Sequence, residues 1–270
     1  MIVLKSREAL EAMRRAGRVV GEALQLLAEW IRPGVTTGEL DRRVEEFLAR
    51  RGARSAFTGY QGYPATICTS VNDEVVHGIP GPRVLEEGDI VSVDIGAVVD
   101  GYYGDAAWTY PVGKTGPLAR RLLRVTREAL YEGIRQAVVG NRVSDISHAV
   151  QAHVEAAGFS VVRDFVGHGI GQQMHEPPQV PNFGRPGRGA RLKAGMTLAI
   201  EPMVNAGDWR VRVKDDNWTV VTADGSLSAH FEHTVAILDE GPVILTRARR
   251  TWGGRRGAAA RAPGPVPAGP

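Results

Sequence analysis

Apolar residues recur with the period of a helix at four places along the chain. Residues 7–31 and 117–138 read as long amphipathic helices, and a shorter helix follows each. Leu40, Val44 and Leu48 lie at i, i+4 and i+8 after Gly34-Val-Thr-Thr-Gly-Glu-Leu-Asp, and Gly52 closes the segment. Ile146, Val150 and Val154 repeat that spacing after Gly140-Asn-Arg-Val-Ser-Asp-Ile-Ser, up to Gly158. Residues so spaced share one helix face. Thr36 or Thr37 and Ser144 are the predicted N-caps, with the glycines as stop signals. Period-2 alternation, the mark of a strand with one buried face, comes next in both places. It predicts one strand over Val71-x-Asp73-x-Val75-x-His77-Gly78-Ile79 and another over Val162-x-Asp164-x-Val166-x-His168-Gly169-Ile170. Leu85-x-x-Gly88-x-x-Val91-x-Val93 then leads to Asp94, and Leu192-x-x-Gly195-x-x-Leu198-x-Ile200 leads to Glu201.

These segments match in order, and the paired helix positions are offset by 106. Such self-similarity predicts a duplicated unit. Each unit reads helix, helix, a strand ending at His, and a strand ending at Asp or Glu. The expectation is a single α+β domain over 1–250, its halves about 1–113 and 114–250 related by a pseudo-two-fold axis. The halves differ in their insertions: Gly52 to Val71 is 19 positions, whereas Gly158 to Val162 is 4. The extra segment contains Phe57, Tyr60 and Tyr63 among glycines, which predicts a binding wall.

Asp100-Gly101 is a strong signal for a two-residue hairpin turn. Residue i then pairs with 201 − i, so Asp105 faces Gly96, and Asp94 and Asp105 share a sheet face as diagonal neighbours about 7–8 Å apart. Two ionised carboxylates that close call for a shared cation. The second half offers matching parts in Glu201, Glu232 and His168, the last flanked by Gly167 and Gly169. An oxygen-rich set with one imidazole suits Mn²⁺, Fe²⁺ or Co²⁺, and the absence of thiolates argues against a structural zinc site. Four negative charges match two divalent ions, an arrangement that activates water for hydrolysis. The residues leave open which of the repeat-equivalent His77 and His168 binds metal. His230 and His233 flank Glu232; strand alternation is taken to turn both away from it, and supporting or structural roles are expected for them rather than ligation.

Composition narrows the picture without changing it. Of 270 residues 43% are hydrophobic and 23% charged, which is ordinary for a globular protein. No apolar run reaches the roughly 18 residues of a membrane span, and no signal-peptide core fits Met1–Leu10, where Lys5, Arg7 and Glu8 stand. The lone Cys68 excludes an internal disulfide and suits a reducing compartment. The net charge of +3 belongs to residues 251–270, which hold Arg255, Arg256 and Arg261 and no acid. Residues 1–250 carry 30 basic and 30 acidic groups, so the body gives no basic footprint for specific nucleic-acid binding. The Gly/Ala/Pro/Arg tail, 251–270, is predicted to be disordered.

The motifs, taken together, resemble the pita-bread metallopeptidases, and within them the bacterial type I methionine aminopeptidases. The resemblance covers about residues 5–249. It rests on Arg32–Asp41, Asn72–Pro80, Asp94…Asp105, Gly167–Gly171 with His175-Glu-Pro-Pro-Gln179, Glu201-Pro-Met-Val204 and Ser226–His233. It implies a pita-bread fold, with the two halves around a curved antiparallel sheet. It also implies removal of N-terminal methionine before a small second residue. Asp94, Asp105, His168, Glu201 and Glu232 would hold two divalent ions (Co²⁺, Mn²⁺, Fe²⁺ or Zn²⁺). Glu201 would carry the proton of the attacking water, His175 would face the oxyanion, and His77 the scissile amide. Phe57, Tyr60, Tyr63, Cys68, His77 and Trp218 would receive the methionine side chain, with Met174 standing where the family commonly has a bulky aromatic. Asn72 and Ser228 resemble ligands of a monovalent cation. The partners implied are nascent polypeptide N-termini, and the ribosome near its exit tunnel, for a cytoplasmic monomer without membrane contact. The alternatives are a prolidase or Xaa-Pro aminopeptidase and a metal-free pita-bread binding module. The first usually carries an extra N-terminal domain, for which a first ligand at 94 leaves no room. The second loses ligands that are all present here. A type II enzyme would have an insertion between Glu201 and Glu232, which here are only 31 positions apart.

Overall fold

The computed structural model describes residues 1–247. The tail expected to be disordered, 251–270, lies outside the described residues.

Four helices form where the apolar period placed them: α1 (Arg7–Trp30), α2 (Thr37–Arg50), α3 (Pro117–Gln136) and α4 (Val143–Ala156). Ser6 caps α1, and Thr36 caps α2 by accepting from the Glu39 amide at 3.1 Å. The second repeat departs from expectation. Arg142, not Ser144, holds the N-cap position of α4, and its amide donates to Asp145 Oδ2 at 2.7 Å. Ser144 lies inside the first turn, and its hydroxyl donates to the Arg188 carbonyl at 2.8 Å. An acidic group three residues into a helix can cap it as well as a preceding hydroxyl can.

The first half adds strands β1 (Arg54–Ser55), β2 (Cys68–Val71), β3 (Glu74–Val76), β4 (Ile90–Val99) and β5 (Tyr102–Pro111). The second adds β6 (Ser160–Val161), β7 (Gly167–Gly169), β8 (Glu176–Val180), β9 (Thr197–Ile200), β10 (Met203–Asn205), β11 (Val211–Val213), β12 (Val220–Thr222), β13 (Ser228–His230), β14 (His233–Leu238) and β15 (Gly241–Ile244). The single strand expected over Val71–His77 is two strands, β2 and β3, with a turn at Asn72-Asp73. Asn72 adopts φ +60°, which Asn tolerates better than most residues. The counterpart over 162–168 is likewise broken, and only 167–169 pairs.

The duplication is visible in hydrogen bonds. The Gly34 amide donates to Leu85 O at 2.8 Å, and the repeat-equivalent Gly140 amide donates to Leu192 O at 3.1 Å. Leu85 and Leu192 return the bond to Val35 O and Asn141 O. Each half has its own apolar core. Val20, Leu27, Leu40, Val44 and Ile95 pack between α1, α2 and β4, and Leu122, Leu130, Ile146, Val150 and Leu198 pack between α3, α4 and β9. At Gly104, on β5, the backbone meets α1 so closely that an added Cβ would lie 2.6 Å from the Gly17 nitrogen.

All the strand ladders are antiparallel, as expected, but they divide into four sheets. The halves meet along β5 and the β13–β14 segment. The Glu232 amide donates to Ala107 O at 2.9 Å. Around that bond two threonine hydroxyls replace the regular ladder. Thr109 Oγ1 accepts from the His230 amide at 2.9 Å and donates to its carbonyl at 2.8 Å. Thr234 Oγ1 does the same with Asp105, at 3.0 and 2.8 Å. This seam places the ends of both carboxylate-bearing strand pairs side by side.

Candidate metal centre

The hairpin has the predicted register, with Gly96 opposite Asp105 and Val99 opposite Tyr102. Asp100 and Gly101 take φ of +51° and +77°, as a type I′ turn needs. Asp94 and Asp105 therefore share a face, together with Cys68, which pairs with Asp94 across β2. In the second half Ile200 faces His233. Continuing that register sets Glu201 opposite Glu232 in the gap between β13 and β14. His168 stands on β7 opposite Ala199.

These side chains converge. Asp105, His168 and Glu232 offer ligand atoms that all lie within 4.8 Å of one another. His168 Nε2 is 3.8 Å from Asp105 Oδ2 and 3.5 Å from Glu201 Oε1. Oxygens of Asp94, Asp105 and Glu232 are buried with no hydrogen-bond partner among the described residues. Burial holds Asp94 up at about 7, and it raises Asp105, Glu201 and Glu232 well above the usual carboxylate range, with neighbouring carboxylates adding to the rise. Burial and the nearby His175 push His168 down to about 3, so its imidazole is neutral. Its Nδ1–H donates to the Gly169 carbonyl at 2.8 Å. Nε2 is therefore a bare lone pair that faces two carboxylate oxygens. Lone pairs pointed together at that range repel unless a cation lies among them. The donor set fits a divalent cation.

The site opens on a cavity of about 330 Å³. Its apolar end is a cluster of Phe57, Tyr63, Cys68 and Met174, with Tyr60 and Trp218 packed against it. Tyr63 and Trp218 meet edge to face, with centroids 5.0 Å apart. The Tyr63 hydroxyl lies 2.9 Å from Gly78 O and 3.0 Å from Ile67 O, which fixes the wall. Burial raises the Cys68 thiol, with Asp94 next in effect, so it is an inert lining group. His77, at φ +61°, projects into the cavity, and burial lowers it to about 4. His175 Nδ1 is 2.7 Å from the Tyr60 hydroxyl.

Every residue predicted for the divalent ions or the substrate lines this one cavity, whereas Asn72 and Ser228 lie outside its lining. The expectation for His230 was wrong. It lines the cavity with Nε2 3.7 Å from Glu201 Oε2. His230 is two positions from Glu232, which is the same face by alternation, and the strand breaks between it and His233. His233 instead bonds Thr246 Oγ1 through Nδ1 at 2.8 Å, away from the site. Phe165 and Met203 also line the cavity and were not singled out; Phe165 shares its repeat segment with His168. Asn72 and Ser228 meet through a Ser228 N–H to Asn72 O bond of 2.8 Å. The Asn72 side chain bonds Asp89 and the Ile90 amide, and Ser228 Oγ bonds Asn205 Oδ1 at 2.9 Å.

A two-half antiparallel fold with a buried carboxylate–imidazole cluster is that of a metal-dependent hydrolase, and the chain belongs to metallopeptidase family M24, whose pattern it matches over residues 11–239. The relatives narrow this to one kind of enzyme. The methionine aminopeptidase of Clostridium perfringens is 58% identical over 246 residues, covering 91% of this chain and 99% of that one. The crystal structure of methionine aminopeptidase from Thermotoga maritima superposes with a TM-score of 0.90 at 52% identity, covering 92% of this chain and all of that one. Prolidase from Pyrococcus furiosus shares the fold, with a TM-score of 0.75 at 23% identity, and this chain covers 66% of it. The architecture is the α+β pita-bread fold. Among the described residues no helix is long and apolar enough to cross a membrane.

Proposed function

We propose that this chain removes N-terminal methionine from proteins and peptides whose second residue is small. One observation carries the reading. A divalent-metal donor set opens directly on an apolar pocket walled by Phe57, Tyr63, Cys68, Met174 and Trp218. Aromatic edges and soft sulfur suit an unbranched thioether. The relatives named above are methionine aminopeptidases, which agrees.

In this reading Asp94, Asp105, His168, Glu201 and Glu232 hold two divalent ions, drawn from Co²⁺, Mn²⁺, Fe²⁺ and Zn²⁺. Asp105 and Glu232 stand at the seam between the halves, where each would serve both ions. When bound, such ions supply Lewis acidity and lower the pKa of water toward neutrality. Glu201 takes a proton from the attacking water and delivers it to the leaving amine. Tyr60 donates its hydroxyl proton to His175 Nδ1, which leaves Nε2–H to meet the developing oxyanion. His77, held neutral by burial, faces the scissile amide. Asn72 and Ser228, joined backbone to backbone, are the place for a monovalent cation. The substrate in the cell is the nascent N-terminus, met in the cytoplasm near the ribosomal exit tunnel by a monomer that needs no membrane or specific nucleic-acid contact. Residues 1–250 form one catalytic domain. The prolidase alternative has in its favour only the shared fold.

Asp94→Asn or His168→Ala is expected to abolish release of methionine from Met-Ala-Ser, assayed by amino-acid analysis, in variants whose thermal unfolding remains cooperative. Met-Arg-Ser is expected to be turned over far more slowly than Met-Ala-Ser. Comparable rates for the two peptides would count against the proposed preference for a small second residue.

A further inference from the structure

His230 ends β13 at the cavity wall, 2% exposed. Its backbone is pinned on both sides by Thr109 Oγ1, at 2.9 Å to the amide and 2.8 Å to the carbonyl. The imidazole therefore starts from a fixed origin. Its Nε2 has no hydrogen-bond partner among the described residues and stands 3.7 Å from Glu201 Oε2. The other oxygen of that carboxylate, Oε1, is 3.5 Å from His168 Nε2. Glu201 thus lies between two imidazoles, each facing one of its oxygens with the same atom.

The two imidazoles cannot be doing the same thing. His168 has committed its proton at Nδ1 to the Gly169 carbonyl, so it offers Oε1 a lone pair, and in the proposed site the two would share a cation. His230 faces a carboxylate oxygen, an acceptor, and that selects its Nε2–H tautomer. A closure of about 0.7 Å brings that pair into ordinary hydrogen-bond range. The Glu201 backbone is already fixed, because Asn182 Nδ2 donates to its carbonyl at 3.0 Å. That bond leaves the side chain to be oriented, including the rotation of the carboxylate about its last bond, and an N–H at Oε2 would fix that rotation.

We propose that His230 is a positioning residue for Glu201: its Nε2–H holds Oε2 and so turns Oε1 toward His168 and the ion they share. This rests on the reading of Glu201 as a metal ligand. Partners that orient a ligating carboxylate are worth about 10–100-fold in metal affinity or activity.

The test is calorimetric titration of Co²⁺ into metal-stripped wild type, His230→Leu and His230→Gln, with the visible Co²⁺ spectrum and Met-Ala-Ser hydrolysis read in parallel. Leucine removes the donor, and glutamine restores an N–H of similar reach. We expect the leucine variant to bind the ion about 10–100-fold more weakly and to lose kcat with KM unchanged. The glutamine variant should stay within about threefold of wild type, with the same Co²⁺ bands. If His230→Leu does not fold, His230→Met, unbranched and also without a donor, replaces it in the comparison. Equal affinity in wild type and the donorless variant would overturn the assignment. So would Co²⁺ bands altered in the glutamine variant, since His230 would then be a ligand itself. A wild type that binds Co²⁺ but releases no methionine would refute the proposed function alone, and the affinity comparison would still decide the role of His230.

Discussion

His175 and Tyr60 show how one contact sets a residue's task. The Tyr60 hydroxyl lies 2.7 Å from Nδ1; in the proposed reaction Tyr60 is the donor of that bond, so the other ring nitrogen carries the proton that meets the oxyanion. Removing such a donor costs about 10²–10³ in rate. His175→Ala is therefore expected to lower kcat by about that factor with KM within a few-fold, as steady-state assays would show, whereas a loss confined to KM would assign His175 to ground-state binding. Much of this site was legible residue by residue. Asp94 and Asp105 could be paired because Asp100-Gly101 fixes the register, and a fixed register fixes the face. Which of His77 and His168 binds metal was not legible from the residues, since the repeat makes them equivalent. Their surroundings differ: His168 Nε2 stands 3.8 Å from Asp105 Oδ2 and 3.5 Å from Glu201 Oε1, a proximity that arises between halves and that no side-chain pattern reveals. His230 was misjudged because its position flanking Glu232 was read as facing away from it; His230 and Glu232 share a face by alternation, and the break in pairing at Phe231-Glu232, where Glu232 meets Ala107 on β5, separates only His233 from the site.

At the scale of elements, the helices were predicted well because the apolar period runs unbroken through each of them, even at α4, where the expected cap Ser144 gives way to Arg142. The strands were predicted less well where two signals overlap. Val71 to His77 alternates like a strand, yet Asn72-Asp73 is also a turn pair, and the turn prevails because it is bonded from both sides: locally the Val71 amide reaches Glu74 Oε2 at 2.8 Å, and across the chain Ile90 N reaches Asn72 Oδ1 at 3.0 Å. The contact of α1 with β5 depends on a missing side chain. Gly104→Ala would place a Cβ 2.6 Å from backbone nitrogen, where no rotamer can relieve it. Overpacking of this kind costs about 1–3 kcal/mol. A lower urea midpoint with an unchanged slope is the expected result, and an unaltered midpoint would show that α1 can slide away freely.

For the whole molecule, the seam between the halves was the least legible feature. It joins residues 121 to 129 apart in sequence through the hydroxyls of Thr109 and Thr234, and nothing local marks those threonines. The seam gathers the four carboxylates at the cost of mutual repulsion, and this sets the pH dependence of the metal-free chain. A carboxyl whose pKa is raised on folding binds more protons folded than unfolded, so stability falls as pH rises through the folded value. Asp94 sits at about 7, and Asp105, Glu201 and Glu232 are well above their ordinary range. His77, His168, His230 and His233 are lowered to between about 3 and about 4, and their opposing contribution is complete about one pH unit above their unfolded value of about 6.5. Calorimetric Tm of the stripped chain is therefore expected to fall from about pH 7.5 to about pH 8.5, and added Mn²⁺ should raise Tm more at the upper end. A Tm that climbs across this range without metal would show that the carboxylates ionise freely. The account rests above all on metal-dependent release of methionine, and the direct measurement is hydrolysis of Met-Ala-Ser by the chelator-stripped chain, before and after separate add-back of Mn²⁺, Fe²⁺, Co²⁺ and Zn²⁺. We predict no release from the stripped chain and recovery with at least one ion; full activity after stripping, or none with any ion, would contradict it.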